Sequence, residues 1–390
     1  MKFEFATATR IVFGAGMVNT VGAEAKTFGR RALLVTGRNP QRAEKPQANL
    51  AANGIDAVTF AVAGEPEIVT VERGTALAKK EKCDFVIAIG GGSVIDAGKA
   101  IAVMLTNDGE LLDYLEIIGR GRALTKPAAA FIAIPTTAGT GSEVTRNAVL
   151  GSPEDKLKVS LRSPLMLPRM AVIDPELTFD LPPALTASTG LDALTQLIEP
   201  YVSVRANAMT DGFCVEGIRR AARSLRAAFT DGNNKEARED MAVASLHGGL
   251  ALANAGLGAV HGLAGPIGGM FAAPHGAVCA ALLPHIMAAN LRALRTREPR
   301  NPALARYDEI ARLLTGDATA DKGVEWVQQL ITDLQIPPLC AYGIGQEHIV
   351  DLAAKAANTS SIKANPIALT PDELSAATWE ATANHRSKTS

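Results

Sequence analysis

Along the first half of the chain, short apolar runs rich in β-branched residues alternate with stretches whose apolar positions recur three and four apart. Residues 10–14, 31–36, 56–62, 85–89 and 128–134 read as strands, since a continuous apolar run bounded by turn residues is what a strand buried on both faces requires. Residues 18–28, 41–53 and 69–82 carry the helical spacing between them. This alternation predicts a parallel sheet with helices on both faces. After Leu181-Pro182-Pro183 the pattern changes, and from Ala184 to about Leu294 Ala and Leu recur at helical spacing with no β period. The expected organisation is an α/β domain over 1–182 and an all-helical domain over 183–390. The charged stretch 292–302, with two prolines, reads as a loop between helices. Thr370-Pro371-Asp372-Glu373 opens a last helix with an N-cap hydroxyl, a proline in first position and acids in the first turn. The tail from about Asn384 reads as a frayed end.

Two glycine-rich turns follow predicted strands. In Gly90-Gly91-Gly92-Ser93-Val94-Ile95-Asp96 the glycines let the backbone bend sharply and approach a ligand, and Ser93 is positioned to cap the helix that follows. A helix N-terminus aimed at one point suits a phosphate, although a tight strand-to-helix turn without a ligand would look similar. The segment is not the G-x-G-x-x-G fingerprint. The second turn, Pro135-Thr136-Thr137-Ala138-Gly139-Thr140-Gly141-Ser142-Glu143, is dense in hydroxyls. Both lie at the C-terminal edge of predicted parallel strands, where open α/β sheets bind ligands, and two cradles suit a dinucleotide better than a single phosphate.

Composition narrows the function. The chain has 390 residues, 47% hydrophobic and 20% charged, with a net charge of -1, which gives no reason to expect nucleic acid or an anionic membrane as partner. The first ten residues lack the apolar core of a signal peptide, and no apolar run reaches the ~20 residues of a membrane span. Cys83, Cys214, Cys279 and Cys340 form no Cys-x-x-Cys pair and read as reduced, mostly buried thiols of a cytoplasmic protein.

In the helical half, Asp192 and Gln196 share a helix face, being four residues apart. His261 and His275 flank Gly268-Gly269 and Pro274, which should break any helix between them and let the chain fold back. Asp and His from separate helices are candidate ligands for a divalent metal, with Gln196 adding a neutral oxygen. With no close-spaced His pair, spacing alone favours each histidine as a satisfied core or cap residue, as His247, His285, His348 and His385 are read to be.

These segments together resemble the iron-containing (group III) alcohol dehydrogenase family over essentially the whole chain. The Gly-Gly-Gly-Ser turn, the Pro135–Glu143 loop, Leu191-Asp192-Ala193-Leu194-Thr195-Gln196 and Pro274-His275-Gly276 occur in the family's order. The resemblance implies a Rossmann-like parallel-sheet nucleotide-binding domain and a helical metal-binding domain, an architecture shared with dehydroquinate synthase. It places the diphosphate on Gly91, Gly92 and Ser93, with Asp96 in the same motif. It assigns Thr136, Thr137 and Thr140 to the nicotinamide half and Asn147 and Lys158 to further nucleotide contacts. Asp192, His261 and His275 fall on three of the four metal-ligand positions and act catalytically through the metal, Fe²⁺ or Zn²⁺. Gln196 stands where the fourth ligand is histidine, and Gly265 stands where many members carry a proton-relay histidine. NAD-preferring members carry an aspartate after the second strand's Val-Thr. Here Gly37 and Arg38 follow Thr36, which implies that NADP is accepted at least as well as NAD. The implied activity is reversible hydride transfer between a small alcohol and its aldehyde or ketone, by a homo-oligomer, expected to be a dimer. The rival readings are a maleylacetate-type reductase, a dehydroquinate synthase-like lyase and a non-catalytic nucleotide-binding protein.

Overall fold

The computed structural model describes residues 2–155 and 157–382, so the tail from Asn384, with His385, lies outside the described residues. The chain forms two compact units, Ala6–Phe179 and the chain from Asp180 onward joined by the N-terminal residues through Phe5. The division thus falls just before the double proline. The first residues, expected in the α/β domain, belong with the helices, where the Phe5 ring lies 5.8 Å from that of Phe213.

The first unit is built on strands β1 (Ile11–Phe13), β2 (Arg31–Thr36), β3 (Asp56–Ala61), β4 (Phe85–Gly90), β5 (Phe131–Pro135) and β8 (Met170–Ile173), in the order β1-β8-β5-β4-β2-β3, every pair parallel. Helices α1 (Val21–Ala25), α2 (Glu44–Ala52), α3 (Ile68–Lys80) and α4 (Gly92–Thr106) connect them. Alternate residues feed two separate cores. Leu33, Val35, Val86, Ala88, Phe131 and Ala133 face α3 and α4, while Ala32, Leu34, Phe85, Ile87, Ile132 and Ile134 face α1 and α2. That double burial is why the strands read as unbroken apolar runs, and each large side chain so buried is worth about 1.5–3 kcal/mol.

A two-stranded antiparallel hairpin, β6 (Asn147–Ser152) and β7 (Leu157–Arg162), and the four-residue β8 were not foreseen. The hairpin's signal is a plain alternation, since Ala148, Leu150, Val159 and Leu161 are buried and their neighbours are not. β8 is too short, after a Pro-rich turn, to show a period.

The second unit contains α5 (Pro183–Val202), α6 (Ala208–Thr230), α7 (Lys235–Ala255), α8 (Ala259–Met270), α9 (His275–Arg297), α10 (Ala303–Thr315), α11 (Ala320–Asp333), α12 (Gln346–Ala356) and α13 (Pro371–Glu380). Among its described residues it has no strand. α5 is buried nearly all round, packed by α6, α7 and α9. The last helix starts as expected, with a reciprocal capping box between Thr370 and Glu373. The expected break between His261 and His275 is present, α8 ending at Met270 and α9 starting at His275, but it falls just after Gly268-Gly269, which lie within the last turn of α8. The loop expected over 292–302 begins later. α9 continues past 292 to Arg297, because Arg295 and Arg297 lie at the negative end of its dipole and pair with Asp321 and Glu373. α9 is the one described helix long and apolar enough to cross a membrane, and 89% of its apolar window is buried among the other helices.

Candidate functional site

The α/β unit's candidate cradle follows from its strand order. Chain connections leave β2 toward β3 on one side and β4 toward β5 on the other, so the sheet reverses between β2 and β4, the switch point at which such sheets open a crevice. Thr36 pairs with Ile89, which brings the Gly37-Arg38 turn beside the Gly90–Gly92 turn. α4 begins at Gly92, and its N-cap is Gly91, which has no side chain to offer. Ser93, expected as the cap, sits instead inside the first turn. The helix start therefore presents N–H groups and the positive dipole end with no side-chain cap, as an anion requires.

The second turn closes over the first. Thr136 N–H donates to the Gly90 carbonyl at 2.9 Å, and Thr137 faces Gly91. At Gly92 a Cβ would lie 2.7–2.8 Å from Thr140 Cγ2 and Oγ1, so only glycine lets the two loops approach this closely. Beneath them is a buried polar knot. Lys99 donates to the Ser142 carbonyl and Thr145 Oγ1, each at 3.0 Å, and to the Asn147 carbonyl. It also pairs with Asp96 at 3.0 Å. Asp96 further accepts from Ser142 Oγ and from Val149 N–H at 3.0 Å. Both its oxygens are thus engaged in joining α4 to the loop and to β6. Burial pushes the nearby Glu143 carboxyl up to about 7, against the pull of a backbone hydrogen bond and Lys99. Asn147 opens β6, and Lys158, on β7, is ion-paired with Glu65 at 2.5 Å. Gly37 has room for a side chain, a Cβ there meeting only Val94 at 3.9 Å, and Arg38 is exposed with its guanidinium near Gly64.

In the helical unit, Asp192 and Gln196 lie on α5, His261 on α8 and His275 at the start of α9. The structure brings His261 and His275 together, their ring centroids 5.4 Å apart. His261 Nε2 is 3.4 Å and His275 Nε2 3.8 Å from Asp192 Oδ1. Gly276 makes this possible, since a Cβ there would strike the Ser188 carbonyl at 2.4 Å and hold α9 away from α5. Two residues were missed. Cys279, one turn beyond His275, completes a group of four donors that all lie within 4.8 Å of one another. Glu199 pairs with His261 Nδ1 at 2.6 Å, which turns Nε2 toward the group, and accepts from Val260 N–H at 2.7 Å. Glu199 was readable, as Asp192, Gln196 and Glu199 are four and three residues apart on one face of α5. Cys279 was readable only as a helical neighbour of His275.

Gln196 turns its amide nitrogen to the group, donating from Nε2 to Asp192 Oδ2 at 3.0 Å. Asp192 Oδ1, His261 Nε2 and Gln196 Oε1 are buried without a hydrogen-bond partner. Burial works to raise the Asp192 carboxyl, but the facing His261 and His275 outweigh it and hold it low. Burial likewise opposes charge on His261, yet Cys279 and Glu199 draw its imidazole well above the ordinary histidine value. Cys279 also raises His275, and burial of Cys279 is outweighed by the two imidazoles, which lower the thiol. Gly265, one turn after His261, faces open space.

A family model described as iron-containing alcohol dehydrogenase matches residues 8–175, and one for that family's C-terminal part matches 186–381. The chain is 37% identical over 370 residues to 1,3-propanediol dehydrogenase of Klebsiella pneumoniae, covering 91% of this chain and 90% of that one. It is 33% identical to NAD-dependent methanol dehydrogenase of Bacillus methanolicus over 93% and 95% of the two chains. A crystal structure of 1,3-propanediol oxidoreductase superposes with a TM-score of 0.91 at 35% identity, over 98% of this chain and 100% of the other. Sulfoacetaldehyde reductase from Bifidobacterium kashiwanohense in complex with NAD+ gives a TM-score of 0.87 at 28% identity, over 98% and 99%. The chain belongs to the iron-containing alcohol dehydrogenase family and is an alcohol dehydrogenase, an oxidoreductase that works with a nicotinamide dinucleotide and a divalent metal.

Proposed function

We propose that the enzyme transfers hydride reversibly between the carbinol carbon of a small alcohol and NADP(H), used at least as readily as NAD(H), with Asp192, His261 and His275 holding a divalent cation. The observation that carries this reading is the pair of orphaned buried atoms, Asp192 Oδ1 and His261 Nε2, that face each other beside His275. Each such atom costs about 1–3 kcal/mol when left unsatisfied, and an anionic oxygen beside imidazole nitrogens is a donor set for Fe²⁺ or Zn²⁺. A cation bound there supplies Lewis-acid polarisation of the substrate oxygen, and the dinucleotide supplies the hydride acceptor.

The chain's own residues do the rest. Glu199 fixes the tautomer and orientation of His261, while Gln196 holds one oxygen of Asp192 so that the other stays directed at the group. The uncapped start of α4, with Gly91, Gly92 and Ser93, offers N–H groups to the diphosphate, and Thr136, Thr137 and Thr140 wall the adjoining loop. Asp96 serves through the knot with Lys99, positioning that loop rather than touching the nucleotide. Gly37 leaves no carboxylate to repel a 2′-phosphate, and the exposed Arg38 beside it offers a cation. With no side chain at Gly265, a water chain or another group takes the alcohol proton in place of a histidine at that position.

The test is turnover of a panel of small alcohols and aldehydes with NADP(H) and NAD(H), beside metal analysis of the purified protein and of Asp192→Asn. Metal-dependent turnover, lost together with the metal in the variant, is expected. Turnover unaffected by chelation and by the substitution overturns the assignment.

A further inference from the structure

The fourth donor of the metal group is the open question, because the glutamine that occupies its expected position faces the wrong way. Gln196 presents Nε2 to Asp192 Oδ2, and its Oε1 lies on the α7 side, 3.5 Å from where a Cβ on Gly248 would be. Reversing the amide would set its oxygen against a carboxylate oxygen, two acceptors with no proton between them. In this place Gln196 is a hydrogen-bond donor that orients Asp192.

Cys279 is the other donor in the group. It is fully buried on α9 and shares a helix face with His275, its Sγ 3.6 Å from His275 Nε2. Zinc bonds of about 2.0–2.3 Å arranged tetrahedrally give ligand-to-ligand edges of about 3.3–3.6 Å. The separations here are 3.4 Å for His261 to Asp192, 3.6 Å for Cys279 to His275 and 3.8 Å for His275 to Asp192, close to those edges. The second, independent sign is that Asp192 Oδ1 and His261 Nε2, each more than nine-tenths buried, are unpartnered and belong to the same cluster. Charge agrees as well. One carboxylate and one thiolate as direct ligands match the two charges of a divalent cation. The remaining anion, Glu199, lies at the N-terminus of α8, where the helix dipole offsets it.

We propose that Cys279, as thiolate, is the fourth protein ligand of this centre, that Gln196 is a positioning residue for Asp192, and that the resulting Asp-His-His-Cys set selects Zn²⁺ over Fe²⁺. This rests on the metal-site reading given above. Selectivity follows from ligand softness, since thiolate favours zinc more than an amide oxygen does, on top of the general order that places Zn²⁺ above Fe²⁺.

Cobalt(II) loaded into the full-length apo-protein reads the ligand directly. A thiolate-to-cobalt charge-transfer band in the near ultraviolet is expected in the wild type, in Cys340→Ser and in Gln196→Ala, and is expected to be missing from Cys279→Ser. Zinc-edge X-ray absorption on the wild type needs no substitution, and should show one sulfur neighbour at about 2.3 Å. In anaerobic competition, Cys279→Ser should lose at least about 100-fold in Zn²⁺ affinity, the upper end of what outer partners alone are worth, with a smaller loss for Fe²⁺. Gln196→Ala should lose about tenfold and keep the band, as an outer partner would. Stoichiometric metal without a sulfur neighbour overturns the role of Cys279 and leaves the metal site standing. A band that survives in Cys279→Ser does the same. Equal losses for Zn²⁺ and Fe²⁺ overturn the selectivity. Failure of the wild type to bind any divalent metal overturns both this inference and the reading beneath it.

Discussion

Around Gly91 and Gly92 the α/β unit exposes bare backbone, whereas around Asp192 the helical unit converges side chains from three helices. The first surface is made by leaving side chains out, so that two loops can close and N–H groups can point outward. The second is made by side chains held in costly burial, with Asp192 Oδ1 and His261 Nε2 left without a hydrogen-bond partner. The difference predicts opposite sensitivities. The α/β cradle should fail when something is added, and the helical site when something is taken away.

The largest effect belongs to the helical unit. Asp192→Asn keeps the volume and removes the anionic donor, so metal content should collapse and kcat/KM fall on the order of 10³-fold, the several kcal/mol that a Lewis acid supplies. Retained metal together with retained activity would break the contrast.

Adding atoms to the cradle comes next. Gly92→Val drives a branched side chain into Thr140 and into the path of a phosphate, and should weaken dinucleotide binding by about 100-fold, on the order of 2.7 kcal/mol. Gly91→Ala sharpens the interpretation, because its Cβ meets only Thr137, at 3.5 Å. Loss of affinity there reports on the ligand rather than on loop packing, and calorimetric titration of both variants separates the two causes.

Gly37→Asp fits the space beside Val94 and places a carboxylate in the turn after β2. The ratio of NADPH to NADH affinity should fall by about tenfold, on the order of 1.4 kcal/mol for one close charge contact. An unchanged ratio would remove this turn from the ribose pocket.

Glu143 sharpens the comparison from the α/β side, where a buried acid carries no cation-binding role. Its carboxyl is raised from 4.5 to about 7, so the folded chain binds more protons than the unfolded one in that interval. Stability should therefore fall as pH rises from 4.5 toward 7. Glu143→Gln, beside the Lys99–Asp96 pair, should flatten this slope and gain on the order of 1 kcal/mol at pH 8 in denaturant titrations. An unaltered slope would mean that another group carries it. Smallest of all, Gly265→Ala meets open space within α8 and should stabilise the helical unit by less than about 1 kcal/mol, read as a small rise in Tm. A loss of stability would show that Gly265 is constrained by more than its helix.

The unequal legibility of the two sites has a physical cause. The cradle residues Gly90–Ser93 and Thr136–Thr140 are contiguous stretches at strand ends, and a strand followed by a turn is a local pattern. The alternation in Ala148, Leu150, Val159 and Leu161 was equally local and available, though short. The candidate metal group joins α5 to the later pair α8 and α9, and spacing alone favoured a core role for His261 and His275.

The sequence by itself determined the units, because buried strands need unbroken apolar runs and buried helices need apolar spacing of three and four, and both patterns are written locally. It also determined the chemical inventory: glycines where backbone must approach, and Asp192, Gln196, His261 and His275 as candidate ligands on a helical fold. Only the tertiary structure decided that Gln196 turns its nitrogen to Asp192, that Glu199 holds His261, and that Cys279 joins the group. Those choices depend on angles between helices and on which polar atoms remain unpaired after packing. No single segment of sequence carries that information, since it exists only where the segments meet.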